Sequence, residues 1–344
     1  MKRMTFAEAI DDALLSAMEE DERIIVLGED VPMLRARIFA RFGKERVLGT
    51  PISEAAFLTA GVGAAMAGLI PVVEIMMVDF IAVAADALLN HAAKVEAFSG
   101  GNWKVPLVVR TACGGGYGDG GQHEQSLWGW LSHIPGLAVV VPSNPADAGG
   151  LMLAALRYGA PVVYMEHKLL SESWLDFLAF AGRDNIHFWL PEEGMKGDVP
   201  DVWEPVPIGK ARTVKKGTDL SFIAAGADVY RCLEVARQLE KEGVSAEILD
   251  LRTISPLDVE SIVTSAQKTG RILVVDEDYK RFGLSGEIAA VLHERNVPCA
   301  YRRVCTEETI PYAHNLERET LPNCQRILQA ARELLENEGP NRHP

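Results

Sequence analysis

Short apolar runs alternate with helix-like stretches along most of this chain, and that alternation limits the fold more than any other feature. Runs at 24–27, 72–77, 107–110, 138–141 and 161–165 have the length and β-branched content of buried strands. Between them, the spacing predicts helices over 54–69, 81–97 and 145–158. A first helix over 5–20 is predicted from Phe6, Ile10, Ala13, Leu14, Ala17 and Met18. Strands without polar alternation, separated by helices, imply a mostly parallel sheet covered on both faces. A second set follows: strands at 220–225, 246–249, 272–275 and 300–304, with helices at 228–242 and 285–295. Between the sets, residues 191–207 hold four prolines, several glycines and a cluster of acids, the composition of a linker. The expected fold class is therefore α/β with two domains, 1–190 and 206–344, each a mostly parallel sheet flanked by helices, joined by a linker at 191–205. A length of 344 residues suits two such cores.

A net charge of −14 argues against nucleic acid and against an anionic membrane surface as partners. The longest apolar stretches are broken by Pro71, Asp79 and Asp86, too short to span a bilayer. The start resembles no signal peptide, and the five scattered cysteines have no C-x-x-C pair. Reduced thiols and a cytoplasmic location are expected.

Two segments stand out as chemical. In Thr50-Pro51-Ile52-Ser53-Glu54 a lone carboxylate enters a helix of small and apolar residues running to Gly68. A buried isolated carboxylate is expensive and tends to hold a proton near neutral pH, so such a group often has a task. The plainer reading is that Ser53 and Glu54 only start the helix. The second segment, residues 114–123, has six glycines in its first eight positions and ends in His123. It follows a strand, where ligands collect in open α/β sheets, and glycine lets a backbone approach a ligand closely. His123 is a candidate acid or base, against the reading of a mobile turn with an incidental histidine. Gly118-Asp119-Gly120 followed by Asn144 mimics a magnesium-diphosphate motif. It lies inside a glycine run and does not open a helix, so it is set aside. His91 and His133 read as structural; the Phe80 ring could line a cleft or fill the core, and the sequence favours the core.

These segments, in this order, resemble the β subunit of the E1 component of 2-oxo acid dehydrogenase complexes, the pyruvate, branched-chain and acetoin dehydrogenase type related to transketolase. The resemblance runs through Leu27-Gly28-Glu29-Asp30-Val31, Thr50 to Glu54, Gln122-His123, Glu166-His167-Lys168-Leu169-Leu170, Asp250-Leu251-Arg252-Thr253-Ile254 and Ile310-Pro311-Tyr312-Ala313. It implies a transketolase-like pyrimidine-binding domain and a transketolase C-terminal-like domain. It also implies thiamine diphosphate as cofactor, with Glu54 on N1′ of the pyrimidine, Met76 and Phe80 beside that ring, and His123 assisting acyl transfer to lipoamide. Magnesium and the diphosphate would be held by an α subunit in an α2β2 heterotetramer. A lipoyl-bearing acyltransferase (E2) and a small 2-oxo acid or acetoin complete the implied partners. A potassium ion is implied at carbonyls matching Leu107, Ala155, Tyr158 and Ala160, with Tyr158 in place of the usual Asp. Half of a split transketolase-like carboligase and a non-catalytic scaffold are the alternatives.

Three departures from the family pattern accompany it. The segment after Asp30 is short. Glu124 replaces a small Ser, and a carboxylate close to His123 would favour the histidine's charged form. Residues 171–205 form an insertion roughly twenty residues longer than its counterpart, which is uncommon for a plain connection. Its aromatics Trp174, Phe177, Phe180, Phe188 and Trp189 either cover the core or form a subunit contact, and the contact is the favoured expectation.

Overall fold

The computed structural model describes residues 2–175 and 188–336. The first sheet has seven strands in the order Thr253–Ser255, Ala138–Val140, Val162–His167, Val108–Cys113, Ile70–Met77, Ile24–Glu29, Val47–Thr50. All pair in parallel except Thr253–Ser255, which is antiparallel to Ala138–Val140. The second sheet runs Ala300–Thr306, Arg271–Tyr279, Leu220–Ala224, Ala246–Asp250, Arg212–Lys215, with only the last strand antiparallel. Two largely parallel sheets are what unbroken apolar strands require, because both faces are covered. Val72, Val108, Val139, Val163, Phe222 and Val274 are fully buried. Each contributes about 1.5–3 kcal/mol relative to an exposed side chain.

The sheets are not independent. Thr253–Ser255 comes from beyond residue 206, yet it forms the edge of the first sheet. One apolar cluster continues from Val139, Val163 and Met165 to Ile223, Leu249 and Ile254. The expected linker is likewise tied down. Glu192–Met195 is a helical turn, and Lys196–Val199 pairs antiparallel with Lys2–Thr5. Trp203 then lies so close to the helix Pro145–Leu156 that a Cβ on Gly149 would sit 2.3 Å from its ring, and Val206 presses on Gly150 in the same way. Both short paired strands are polar, so apolar patterning does not reveal them.

The first helix, Phe6–Glu20, starts at Thr5 with a reciprocal cap: Glu8 N–H donates to Thr5 Oγ1, and Thr5 N–H donates to Glu8. Such a cap stabilises by about 1 kcal/mol. The expected helix over 81–97 is instead broken into Val78–Ala84, Ala87–Ala92 and Val95–Phe98. Its first piece is a tight 3-10 turn that places Asp79 within 2.7 Å of the Gln125 amide. That long-range contact outweighs helical periodicity. The short segment after Asp30 folds as Val31–Leu34 and Ala36–Phe42. Between them Arg35 turns inward, with Nε 2.8 Å from Glu74, beside Asp11, Arg110 and Glu166 in a buried ion network.

Candidate active site

The candidate residues gather at the carboxyl edge of the first sheet. Glu29 ends one strand, Glu54 follows the strand Val47–Thr50, Met76 is near the end of Ile70–Met77, and the glycine loop follows Val108–Cys113. Side chains from adjacent parallel strands converge at this edge, which is the usual ligand crevice of open α/β sheets.

Glu54 is the first residue of the helix Glu54–Met66 and is 9% exposed. Phe57, Leu58, Gly61, Val62 and Ala65 bury one face of that helix, which packs on Val78–Ala84. Gly61 is required there, since a Cβ would lie 2.5 Å from Val73. The other face exposes Ala55, Ala56, Thr59, Ala60 and Gly63. Among the described residues, no N–H or O–H donates to the Glu54 carboxyl. Its neighbour Glu29 is held above the usual carboxylate range by burial and by the charges of Asp30 and Glu54. A nearly buried acid therefore lies within electrostatic reach of a second acid, with its acceptor oxygens unused among the described residues.

Phe80, half-buried, meets His123 edge to face, with ring centroids 5.7 Å apart at 87°. Such a pair is worth about 0.5–1.5 kcal/mol beyond its buried area and orients the imidazole. Met76 is also half-buried, and Phe80 packs against the edge of the apolar core. His123 Nδ1 lies 3.4 Å from the Asp119 carbonyl and 3.7 Å from its carboxylate.

The glycine loop differs from the expectation of a backbone open to a ligand. Its N–H groups bind carboxylates of the chain itself. Gly115 N–H donates to Glu277 at 2.8 Å, and Gly116 and Gly118 donate to Glu317 at 2.8 and 3.0 Å. Tyr117 and Asp119 N–H both donate to Glu124 at 3.1 Å. Winding the chain round three carboxyl groups needs positive φ at Gly114, Gly116, Gly118 and Gly120 (89°, 111°, 80° and 69°), which explains the glycine content. On the carbonyl side, buried Lys168 donates to Gly114 at 3.0 Å and to His123 at 2.6 Å, and Tyr117 Oη donates to His123 at 2.8 Å. Burial lowers the Lys168 ammonium from its ordinary range. The loop is a clamp that fixes the backbone of His123.

Glu124 does not stand beside His123 as a free carboxylate. It is fully buried with its carboxyl inside the loop. Burial, then the hydrogen bond and charge of Glu317, push it up to about 9, which favours its protonated form.

Other candidates have structural places. Asn144 caps the helix Pro145–Leu156, accepting from Asp147 N–H, while Asp119 is beside His123. His91 is exposed near Asp86, and His133 ends the helix Trp128–Ser132 on the rim of a cavity of about 970 Å³. The Leu107 carbonyl accepts from Val162 N–H, that of Ala155 accepts from Tyr158, and Tyr158 is 42% exposed. In the insertion, Trp174 is buried; Trp189 donates to Glu234 at 3.2 Å and stacks under Arg231 at 4.8 Å. The ring of Phe188 meets His314 at 6.3 Å. These three aromatics pack on their own chain, and Phe188 and Trp189 are only half-buried there. Phe177 and Phe180 lie outside the described residues.

Sequence reasoning assigned no role to Lys168, Glu277 or Glu317. Lys168 lies in Glu166-His167-Lys168-Leu169-Leu170, where only the two leucines that follow it point toward burial. Glu317 lies 201 residues from its partner Gly116, and nothing local reveals it.

Comparison with known proteins gives a consistent result. Residues 2–172 match the transketolase pyrimidine-binding domain and residues 209–327 the transketolase C-terminal domain. The chain is 36% identical to the 2-oxoisovalerate dehydrogenase subunit beta of Bacillus subtilis, covering 98% of this chain and all of that one. It is 35% identical to the pyruvate dehydrogenase E1 component subunit beta of the same organism, over 98% of this chain and all of the other. The acetoin:2,6-dichlorophenolindophenol oxidoreductase subunit beta, also from Bacillus subtilis, is 36% identical over 96% of this chain and 97% of its own. Among solved structures, a split gene transketolase described as an inactive beta4 tetramer superposes with a TM-score of 0.76, covering 97% of this chain and 98% of that one. At 21% identity it shows the shared fold alone.

Proposed function

The chain belongs to the family of E1 β subunits of 2-oxo acid dehydrogenase complexes, and on that premise we propose that it is the β half of a thiamine diphosphate-dependent 2-oxo acid or acetoin dehydrogenase. The observation that carries this reading is the Glu54 carboxyl, nearly buried at the sheet's carboxyl edge with no donor among the described residues. Such an oxygen fits a ring N–H, and a proton shared with it stays out of water.

The residues present fit the pyrimidine end of the cofactor. Glu54 would hold N1′, with Met76 and Phe80 along the crevice and His123 reached through the Phe80 contact. When bound, thiamine diphosphate supplies an acidic thiazolium carbon that becomes the nucleophile toward the 2-oxo or ketol carbonyl. Glu54 would govern the proton at N1′, and the buried flank of its helix would exclude water from it. His123, its backbone fixed by Lys168 and Tyr117, serves proton transfer as the acyl unit passes to a lipoyl group.

The diphosphate and magnesium are assigned to an α subunit. The loop amides that resemble an anion cradle already bind Glu277, Glu317 and Glu124, and Asn144 is a helix cap. An α2β2 assembly follows, with the small-residue face of Glu54–Met66 available for the partner and a lipoyl-bearing acyltransferase as the acceptor. The purified chain alone is expected to show no magnesium-dependent thiamine diphosphate binding by calorimetry. Tight binding would remove the need for a partner. No helix among the described residues is long and apolar enough to cross a membrane, and a cytoplasmic location is proposed.

Leu107, Ala155, Tyr158 and Ala160 are the proposed potassium ligands. Two of these carbonyls already accept amide hydrogens and Tyr158 adds no carboxylate, so the ion should be held weakly. Melting temperatures in potassium and sodium chloride are expected to agree within a few degrees; a larger gain in potassium would show a strong site.

A further inference from the structure

Two departures from the family pattern, Glu124 and the 171–205 insertion, meet at one place. Glu124 is fully buried in the glycine loop; Oε1 accepts from Tyr117 and Asp119, while among the described residues Oε2 has no N–H or O–H donor. The carboxyl that meets it is Glu317, also fully buried, on the helix His314–Thr320 of the second domain. Glu317 in turn accepts from Gly116 and Gly118 on one oxygen and lies 2.7 Å from His314 Nδ1 on the other. The insertion reaches the same group, because the Phe188 ring packs on His314.

We propose that Glu124 and Glu317 are the positioning residues of the His123 loop, one proton between their carboxyl groups closing the loop onto the second domain. Without that proton two carboxylates would meet inside the protein, and the loop would be pushed off Glu317. With it, Glu124 Oε2 becomes a donor and every oxygen of the pair gains a use. The charged groups around the pair are few. Lys168 approaches Glu124 from the end of the strand Val162–His167, His314 faces Glu317, and Glu277 binds the adjacent Gly115 amide. Two further contacts brace the same junction: Gly121 N–H donates to the Ile310 carbonyl at 2.8 Å, and Tyr312 donates to Gln122 at 3.0 Å. His123 is the next residue after Gln122 and the one before Glu124, so movement of the pair moves the imidazole. Burial and Glu317 hold Glu124 up to about 9, which puts loss of the shared proton on the alkaline side of neutrality. A raised acid makes the closed loop fully stable below the ordinary carboxyl range and weakens it as pH rises through the folded value.

This inference rests on the proposed function for the role of His123, and its test separates the two. Infrared titration of the full-length chain with carbon-13 glutamate should show a protonated-carboxyl band that disappears as pH rises through about 9. The band should be missing from Glu124→Gln and should titrate at lower pH in Glu317→Gln, which loses the raising charge. Hydrogen exchange of the 114–125 peptide at neutral pH should accelerate in Glu124→Ala and return toward wild type in Glu124→Gln, whose amide still donates to Glu317. In the complex reconstituted with its partner subunit, Glu124→Ala should lower kcat on the order of tenfold to a hundredfold with KM little changed, from misplacement of His123. Glu124→Gln should restore most of that kcat and remove the alkaline limb of the kcat profile. A band unchanged in Glu124→Gln, or a loop equally protected in Glu124→Ala, overturns the proposal. If band and protection behave as expected while the wild-type complex turns over no 2-oxo acid or ketol, the functional reading fails and the carboxyl pair stands.

Discussion

Glu54→Gln should lower turnover of the reconstituted enzyme on the order of a thousandfold while the chain folds and assembles as before. The magnitude is that of a general acid–base group, about 10² to 10⁴. Glutamine keeps the shape of the side chain at the start of Glu54–Met66, so the helix and its packing through Phe57, Leu58 and Val62 persist. What it cannot do is take and return a proton at a ring nitrogen. A drop in kcat with intact assembly by size-exclusion chromatography supports the assignment. Near-normal turnover would return Glu54 to the role of a helix-starting acid.

The largest stability effect is expected at Glu277. Its carboxyl lies 3.0 Å from His167 Nε2 and 2.5 Å from Arg231, and accepts from Gly115 N–H at 2.8 Å, with all of these groups buried. Burial works against its charge, yet the charges and hydrogen bonds of His167 and Arg231 hold it well below the usual carboxylate range. Glu277→Ala would leave Arg231 facing only Asp228 and leave His167 and Gly115 without an acceptor. Breaking a buried pair in this way costs about 3–5 kcal/mol. Because the carboxyl is depressed in the folded state, its contribution is present above the ordinary carboxyl range and is lost as pH falls through the folded value. Urea unfolding should therefore show the variant less stable at pH 7, with the gap to wild type narrowing as pH falls below about 4. An equal gap across that range would mean that packing, not charge, sets the loss.

The strands and most helices were legible because they depend on local periodicity. Apolar runs of four to six residues mark most of the strands, and all nine expected strands are present, although the edge strand Ala300–Thr306 exposes Arg302 and Arg303. Lys2–Thr5 and Lys196–Val199 were not legible: their stability comes from pairing across the chain and not from side-chain pattern. Similarly, the span over 81–97 has helical spacing, but Asp79 is drawn to Gln125 and the helix breaks.

At the site, the residues that face the crevice carried a sequence signal while those that hold them did not. Glu54 stands out as one charge in an apolar helix, and His123 as the end of a glycine run. The glycines suggested an open ligand cradle, whereas their positive φ angles serve to wrap Glu124, Glu277 and Glu317. Two of those three acids come from the second domain, and no spacing rule connects them to residues 114–123. Glu124 was visible as a departure, but its direction was not: beside His123 in sequence, its carboxyl is turned into the loop.

The most direct measurement is a crystal structure of this chain assembled with its partner subunit and thiamine diphosphate. The Glu54 carboxyl should lie within about 3 Å of the pyrimidine N1′, with Met76 and Phe80 along the ring. A cofactor seated elsewhere, or a Glu54 carboxyl pointing away from N1′, would contradict the account.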